Sequence, residues 1–121
     1  MATIRYIVDD VEASIPFYRD LLGFKVVEQH GPAVAILEKD GLQFWVSGPS
    51  ASGARPMPDG RKPEAGGWNR MVIVVDDLAA LVDKLKAAKV SFRNEIISGP
   101  GGKQILAEDP SGNPIELFQP A

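Results

Sequence analysis

The sequence predicts an α+β fold of two tandem βαβββ modules, each with one helix packed on a curved mixed sheet, the sheets enclosing a cavity. Three observations carry that prediction. The stretch Ile7-Val8-Asp9-Asp10-Val11-Glu12-Ala13 returns 67 positions later as Val74-Val75-Asp76-Asp77-Leu78-Ala79-Ala80. In both copies an apolar run stops at Asp-Asp and an amphipathic stretch begins, the pattern of a strand leading into a capped helix. After each helix come three short apolar-rich runs separated by Gly, Pro, Asn or Asp, which read as strands and turns.

Taken in order, Thr3 to Val8 is rich in β-branched and aromatic residues and reads as the first strand. Asp9 or Asp10 caps a helix, with Glu12 three residues after Asp9 as in a capping box. Val11, Ile15, Tyr18 and Leu22 share one helical face, and Gly23 supplies the stop. Pro16 would cost about 3 kcal/mol in a helix interior. The regular helix is therefore expected to begin near Ser14, with Pro16 in its first turn. Strands follow at roughly 24–29, 33–38 and 42–47, joined by turns at Gly31-Pro32 and Asp40-Gly41.

The second module repeats this order. A strand over 68–75 leads to Asp76-Asp77 and a helix carrying Leu78, Leu81, Val82 and Leu85 on one face. Strands near 92–97, 103–107 and 114–118 follow, the last two joined by Asp109-Pro110-Ser111-Gly112-Asn113. Module one thus covers about 1–47 and module two about 68–120 of a single domain. Between them, Gly48 to Gly67 is rich in Pro, Gly, Ser and Ala, and is either a flexible linker or a loop folded over the site.

Composition bounds the function. A chain of 121 residues, 45% hydrophobic and 24% charged, is long enough for one globular domain with a real core. The net charge of −3 and the lack of a basic stripe argue against a nucleic-acid partner. No apolar run approaches the ~20 residues of a membrane span. The N-terminus shows no signal-like leader, so a cytoplasmic location is expected. Without cysteine the chain has no disulfide, thiolate catalysis or zinc–thiolate site.

Alternation splits each strand into two rows. Ile4, Tyr6, Val8; Leu42, Phe44, Val46; Met71, Ile73, Val75; and Ile115, Leu117 are apolar or aromatic and should face the helices. The opposite rows read Thr3, Arg5, Ile7; Gln43, Trp45, Ser47; Trp68, Arg70, Val72, Val74; and Glu116, Phe118. A water-facing row rarely carries two tryptophans, and a core row carries arginine only when it is paired. A concave ligand site accepts both. The bland alternative is a partly solvated face with snorkelling arginines.

These features, with Phe17-Tyr18-Arg19-Asp20-Leu21-Leu22-Gly23-Phe24 and the closing Glu108-Asp109-Pro110-Ser111-Gly112-Asn113-Pro114-Ile115-Glu116-Leu117, resemble the vicinal oxygen chelate superfamily. That superfamily includes glyoxalase I, the bleomycin resistance proteins and the extradiol dioxygenases. In its metal-dependent members the resemblance implies a ligand, often His, near the start of each module's first strand. It implies a carboxylate or similar group on each fourth strand. Here those positions hold Thr3, Arg70, Glu116 and either Gln43 or Trp45. Only Glu116 is metal-competent, and Arg70 would repel a cation. No cofactor is therefore expected, a divalent metal being disfavoured.

The sole histidine, His30, falls at the Gly31-Pro32 turn and reads as an exposed turn residue. The two Asp-Asp pairs read as helix caps rather than as carboxylate dyads. Lys103 after Pro100-Gly101-Gly102 lacks the strand-to-helix context of a phosphate loop.

The expected function is sequestration of an apolar or aromatic small molecule such as an antibiotic. Trp45, Trp68 and Phe118 would wall the ligand, and Arg5, Gln43, Arg70 and Glu116 would orient its polar groups. The alternative is a lyase, isomerase or dioxygenase using a metal or using Glu116 as general base. The resemblance also implies a homodimer.

Overall fold

A computed structural model describes residues 2–121. The chain divides between Ala65 and Gly66 into two compact units. The first holds β1 (Ala2–Ile7), α1 (Val11–Pro16), β2 (Lys25–His30), β3 (Val34–Lys39) and β4 (Leu42–Ser47). The second holds β5 (Met71–Val74), α2 (Leu78–Ala87), β6 (Ile97–Gly99), β7 (Gly102–Glu108) and β8 (Pro114–Pro120). Their sheets have the orders β1-β4-β3-β2 and β5-β8-β7-β6. In each, the first and last strands pair in parallel and the rest are antiparallel. The α+β architecture of two βαβββ units is the one the repeat predicts.

The core rows are where alternation puts them. In the first unit Tyr6, Val8, Phe44 and Val46 are buried beneath Val11, Ile15, Tyr18 and Leu22. Tyr18 meets Phe44 edge-on with ring centroids 4.7 Å apart, and Phe24 and Tyr6 close on the same Phe44 at 5.5 and 5.1 Å. Offset and edge-to-face pairs of this kind add to simple area burial. In the second unit Met71, Ile73, Ile115 and Leu117 are buried together with Leu78, Val82 and Leu85.

Asp10 is one of the two expected caps, and helix entry differs from expectation in two other respects. Asp10, not Asp9, is the cap, its carboxylate accepting from Ala13 N at 3.3 Å, which puts Ala13 rather than Glu12 at the box position. Helix α1 begins at Val11, so Pro16 closes it rather than opening it. Proline has no N–H to extend the ladder, and residues Phe17–Leu21 continue as a wider π-type turn. The widened turn keeps Tyr18 and Leu22 on the buried side.

Two strands are shorter than their residues suggest. The strand expected from Trp68 starts only at Met71, paired with Ile115. Gly66 and Gly67 lie at φ 107° and 84°, a left-handed conformation that does not feed a strand. One step back from Ile115, Pro114 has no N–H with which to extend the ladder. The strand expected over 92–97 shrinks to a single Phe92–Ala107 bridge plus β6. There Asn94 Oδ1 accepts from Leu106 N at 2.9 Å, taking a backbone carbonyl's place and interrupting the ladder.

The turns follow their residues. Asp40 and Gly41, at φ 49° and 81°, form a two-residue type I′ connection between β3 and β4. Asp109 Oδ1 accepts from Ser111 N and Asn113 N, both at 2.9 Å, closing the β7–β8 turn from inside. Helix α2 is capped by Asp77, which accepts from Ala80 N at 3.0 Å. It ends with Lys89 in the left-handed region at φ 63° and Val90 N bonded to Leu85 O at 3.0 Å. That is a Schellman stop with lysine where glycine is easiest. Replacing Lys89 with Gly is expected to raise stability by about 0.5–1 kcal/mol, since a β-carbon is strained there. Urea unfolding of Lys89→Gly against the parent protein, with unchanged slope, measures it.

Candidate functional site

The face of the first sheet away from α1 is set by register. Arg5 lies beside Trp45, Trp45 beside Ile36 and Ile36 beside Glu28; one row on, Ile7, Ser47, Val34 and His30 align. Residues directly paired share a face, so this surface carries Arg5, Trp45, Ser47 and His30 together. It opens on a cleft of about 360 Å³. The apolar lining is Ala33, Val34, Ile36, Ala51 and Trp45, and the polar lining is Arg5, His30, Ser47, Ser50 and Ser52.

Trp45 is held in place on both sides. Its Nε1 donates to Gln43 Oε1 at 3.0 Å, and Thr3 Oγ1 donates to the same oxygen at 3.1 Å. The guanidinium of Arg5 lies 5.1 Å from the indole centroid, within cation–π range. Gln43, expected to orient a ligand, instead spends its carbonyl oxygen on fixing the indole.

Part of the Pro/Gly-rich stretch after β4 folds as a strap. Gly48 N donates to Ala33 O at 2.8 Å, Ala51 is buried, and Ser52–Ala54 form a 3₁₀ turn. A β-carbon at Gly53 would fall on the Arg5 guanidinium, so glycine there lets the strap close on that side chain. Residues 48–54 are thus a loop built into the first unit.

His30 is corrected in place. It is exposed, as expected, but it is the last residue of β2 rather than a turn residue, and it lines the cleft. Its Nε2 sits 3.2 Å from Glu28 Oε2. A strand one residue longer than the apolar run suggests would have placed it.

In the second unit Arg70 and Glu116 meet as an ion pair. Arg70 Nη2 and Nε donate to Glu116 Oε1 at 2.8 and 3.1 Å, and Nη1 donates to Trp68 O at 3.2 Å. Both bonds to the carboxylate reach one oxygen, so Oε2 is not engaged by this guanidinium. Glu116 is buried, and Val72 and Val74 beside it on β5 are exposed. Phe118 lies on the same row as Glu116, half-buried.

Trp68 departs from expectation. It precedes β5, is 67% exposed, and has the Arg93 guanidinium over its ring, 4.5 Å from the centroid. Arg93 also donates to Glu108 Oε2 at 2.9 Å, to Gly112 O at 2.9 Å and to Gly67 O. With Gly66 N donating to Asn113 Oδ1 at 2.7 Å, this ties residues 66–68 to the β7–β8 turn. Arg93 sits in the part of the expected strand that did not form, next to the bridge residue Phe92.

Register settles the first-half counterpart of Glu116. Arg5 pairs with Trp45, and Val72, the residue 67 positions after Arg5, pairs with Glu116. The counterpart is Trp45. The positions that the resemblance links to a metal therefore hold Thr3, Trp45, Arg70 and Glu116. A hydroxyl already bonded to Gln43, an indole that only donates, a guanidinium and a carboxylate paired with it do not fit a divalent cation. Among the described residues no three His, Asp or Glu side chains converge.

The duplicated βαβββ unit is an architecture shared by a known superfamily. The Glyoxalase/Bleomycin resistance protein/Dioxygenase superfamily matches residues 1–117, and the chain belongs to that superfamily. The mitochondrial methylmalonyl-CoA epimerase of Mus musculus is 31% identical over 121 residues, spanning 93% of this chain and 68% of the epimerase. A superfamily member from Sphaerobacter thermophilus has a TM-score of 0.76 at 27% identity, over 98% of this chain and 95% of that one. TnmS3, an antibiotic-binding protein from a Streptomyces species, shares the fold with a TM-score of 0.73 at 22% identity, over 98% and 93% of the two chains.

The Arg70–Glu116 pair generates a stability prediction. Glu116 is buried and Arg70 about a quarter exposed, so the pair is screened more than a fully buried one. Arg70→Met and Glu116→Gln should each destabilise. The double mutant should lose less than their sum, with a coupling of about 1–2 kcal/mol by denaturant melts. Additive losses would show that the pair contributes no mutual stabilisation.

Proposed function

We propose that the protein binds an apolar, ring-bearing small molecule in the cleft of its first unit and sequesters it without a metal ion. The observation supporting this most is Trp45, its indole braced by Gln43 and Arg5 on the cleft wall. A fixed indole offers a flat apolar face on which another ring can lie, and its orientation is already set before binding. Val34, Ile36 and Ala51 supply the remaining apolar contact. A cleft of about 360 Å³ lies in the usual range for small-molecule sites. The shared fold of an antibiotic-binding protein is in keeping with this reading.

A second reading, chemistry at Glu116, draws on the likeness to an epimerase. In that case Oε2 would do the proton work, because Oε1 is held by Arg70.

One experiment separates the two. Trp68→Phe leaves Trp45 as the sole indole, and this variant is titrated with a panel of aromatic antibiotics and aromatic metabolites. Binding should change Trp45 emission and raise the melting temperature, with about 2.7 kcal/mol of stabilisation at 100 times the dissociation constant. In the parent protein Trp45→Ala should weaken binding by more than about 1 kcal/mol. Sequestration predicts that the compound is recovered unchanged. Turnover abolished by Glu116→Gln supports the second reading instead. No shift in emission or melting across the panel would end the binding proposal.

A further inference from the structure

The cleft of the first unit has a polar end as well as an apolar wall. Ser47 stands two residues beyond Trp45 on the same face of β4, between Ile7 and Val34. It lines the cleft and is 1% exposed, and its Oγ has no hydrogen-bond partner. Among the described residues it is the one buried side-chain oxygen or nitrogen in that state. A buried hydroxyl left unmatched in the protein is a position where a ligand atom is rewarded for matching it.

The charges around it narrow the ligand further. Among the described residues of the lining, the ionisable groups are Arg5 and His30, and neither is acidic. His30 is already addressed by Glu28, so the fixed positive charge is that of Arg5. Arg5 covers one face of the Trp45 indole, and the strap at Gly53 leaves room for it. A hydroxyl donor and a guanidinium flanking an apolar wall together favour an oxygen anion attached to a ring.

We infer that the cleft selects aromatic acids: a planar apolar ring lies against Trp45, Val34 and Ile36, while its carboxylate accepts from Ser47 Oγ and faces Arg5. This rests on the reading that the cleft holds a ring-bearing molecule, and it adds that the ring must carry an anionic oxygen. Ser47 and Arg5 are specificity-determining here, and Trp45 supplies affinity common to all rings.

The test is calorimetric titration of the full chain with 2-naphthoate, naphthalene-2-carboxamide and 2-methylnaphthalene, which share one ring system. The carboxylate should bind about tenfold or more tightly than the methyl compound, with the carboxamide between them. Raising the salt concentration should narrow the gap. Ser47→Ala and Arg5→Met should each erase most of the preference for the carboxylate over 2-methylnaphthalene. Thermal melts confirm that each variant folds, and Arg5→Met carries the test alone if Ser47→Ala does not. Equal affinity for all three probes, or a preference unchanged in both variants, overturns this inference and leaves aromatic binding standing. If none of the three binds, this inference falls, and the aromatic panel alone decides the binding reading beneath it.

Discussion

The parallel pairing of each unit's first and last strands is the constraint on which the rest of the structure depends. Strands running the same way cannot be joined by a hairpin, so the chain must cross over one face of the sheet. In the first unit α1 makes that crossing after β1, and in the second α2 makes it after β5. The helix claims one face for the core, and alternation then hands every second side chain to the other face. Tyr6, Phe44 and Val46 become core for the same reason that Arg5, Trp45 and Ser47 do not. The residues that could meet a ligand are selected by topology before any chemistry enters.

Duplication makes the divergence of the two faces readable. The two copies share order, helix caps at Asp10 and Asp77, and the parallel pairing, and they differ on the faces away from the helices. Where the first copy sets Arg5 beside Trp45, the second sets Val72 beside Glu116. An arginine accompanies each, but its partner differs. Arg5 rests on an indole that remains part of a cleft wall, whereas Arg70 is consumed by a carboxylate within its own sheet. An arginine on an aromatic face keeps most of its hydrogen-bonding capacity, and one bonded to a carboxylate and a backbone carbonyl has spent it. The first face is therefore the better equipped to receive a charged partner.

Most of the architecture was legible because it rests on period and on punctuation. The core rows, both caps and the Asp40-Gly41 hairpin follow from alternation, from Asp before an amphipathic run and from a turn that demands positive φ. What was illegible depends on substitutes for backbone partners. Asn94 replaces a carbonyl and dissolves a strand, and Pro114 withholds an N–H and shortens another. Neither effect shows in a hydrophobic pattern. On the candidate site, alternation identified Arg5, Trp45, Arg70 and Glu116 as one kind of row, and could not tell that Gln43 would be absorbed in holding Trp45. It put Trp68 on a strand because a tryptophan beside apolar residues reads that way. The glycines before it hold the chain out of the ladder, and Arg93 then captures the ring. His30 and the strap lay just beyond the boundaries of recognised elements, where pattern reading is weakest.

The strap shows why a stretch that looks like linker can shape a site. A flexible connection would leave the outer face of β4 open to water, where the Ser47 hydroxyl would be solvated at no cost. Residues 48–54 instead fold back at that end, with Gly48 N bonded to Ala33 O and Ala51 buried, and Ser47 beside them is buried as well. Covering the hydroxyl without supplying a partner costs about 1–3 kcal/mol. Alanine at the same position would fill nearly the same space and carry no such penalty. The sequence therefore holds a polar atom in a place where stability alone favours an apolar one, and departures of that kind concentrate where a protein meets its ligand. Gly53 packs against the Arg5 guanidinium, and a larger residue there would make that exposed, flexible side chain shift.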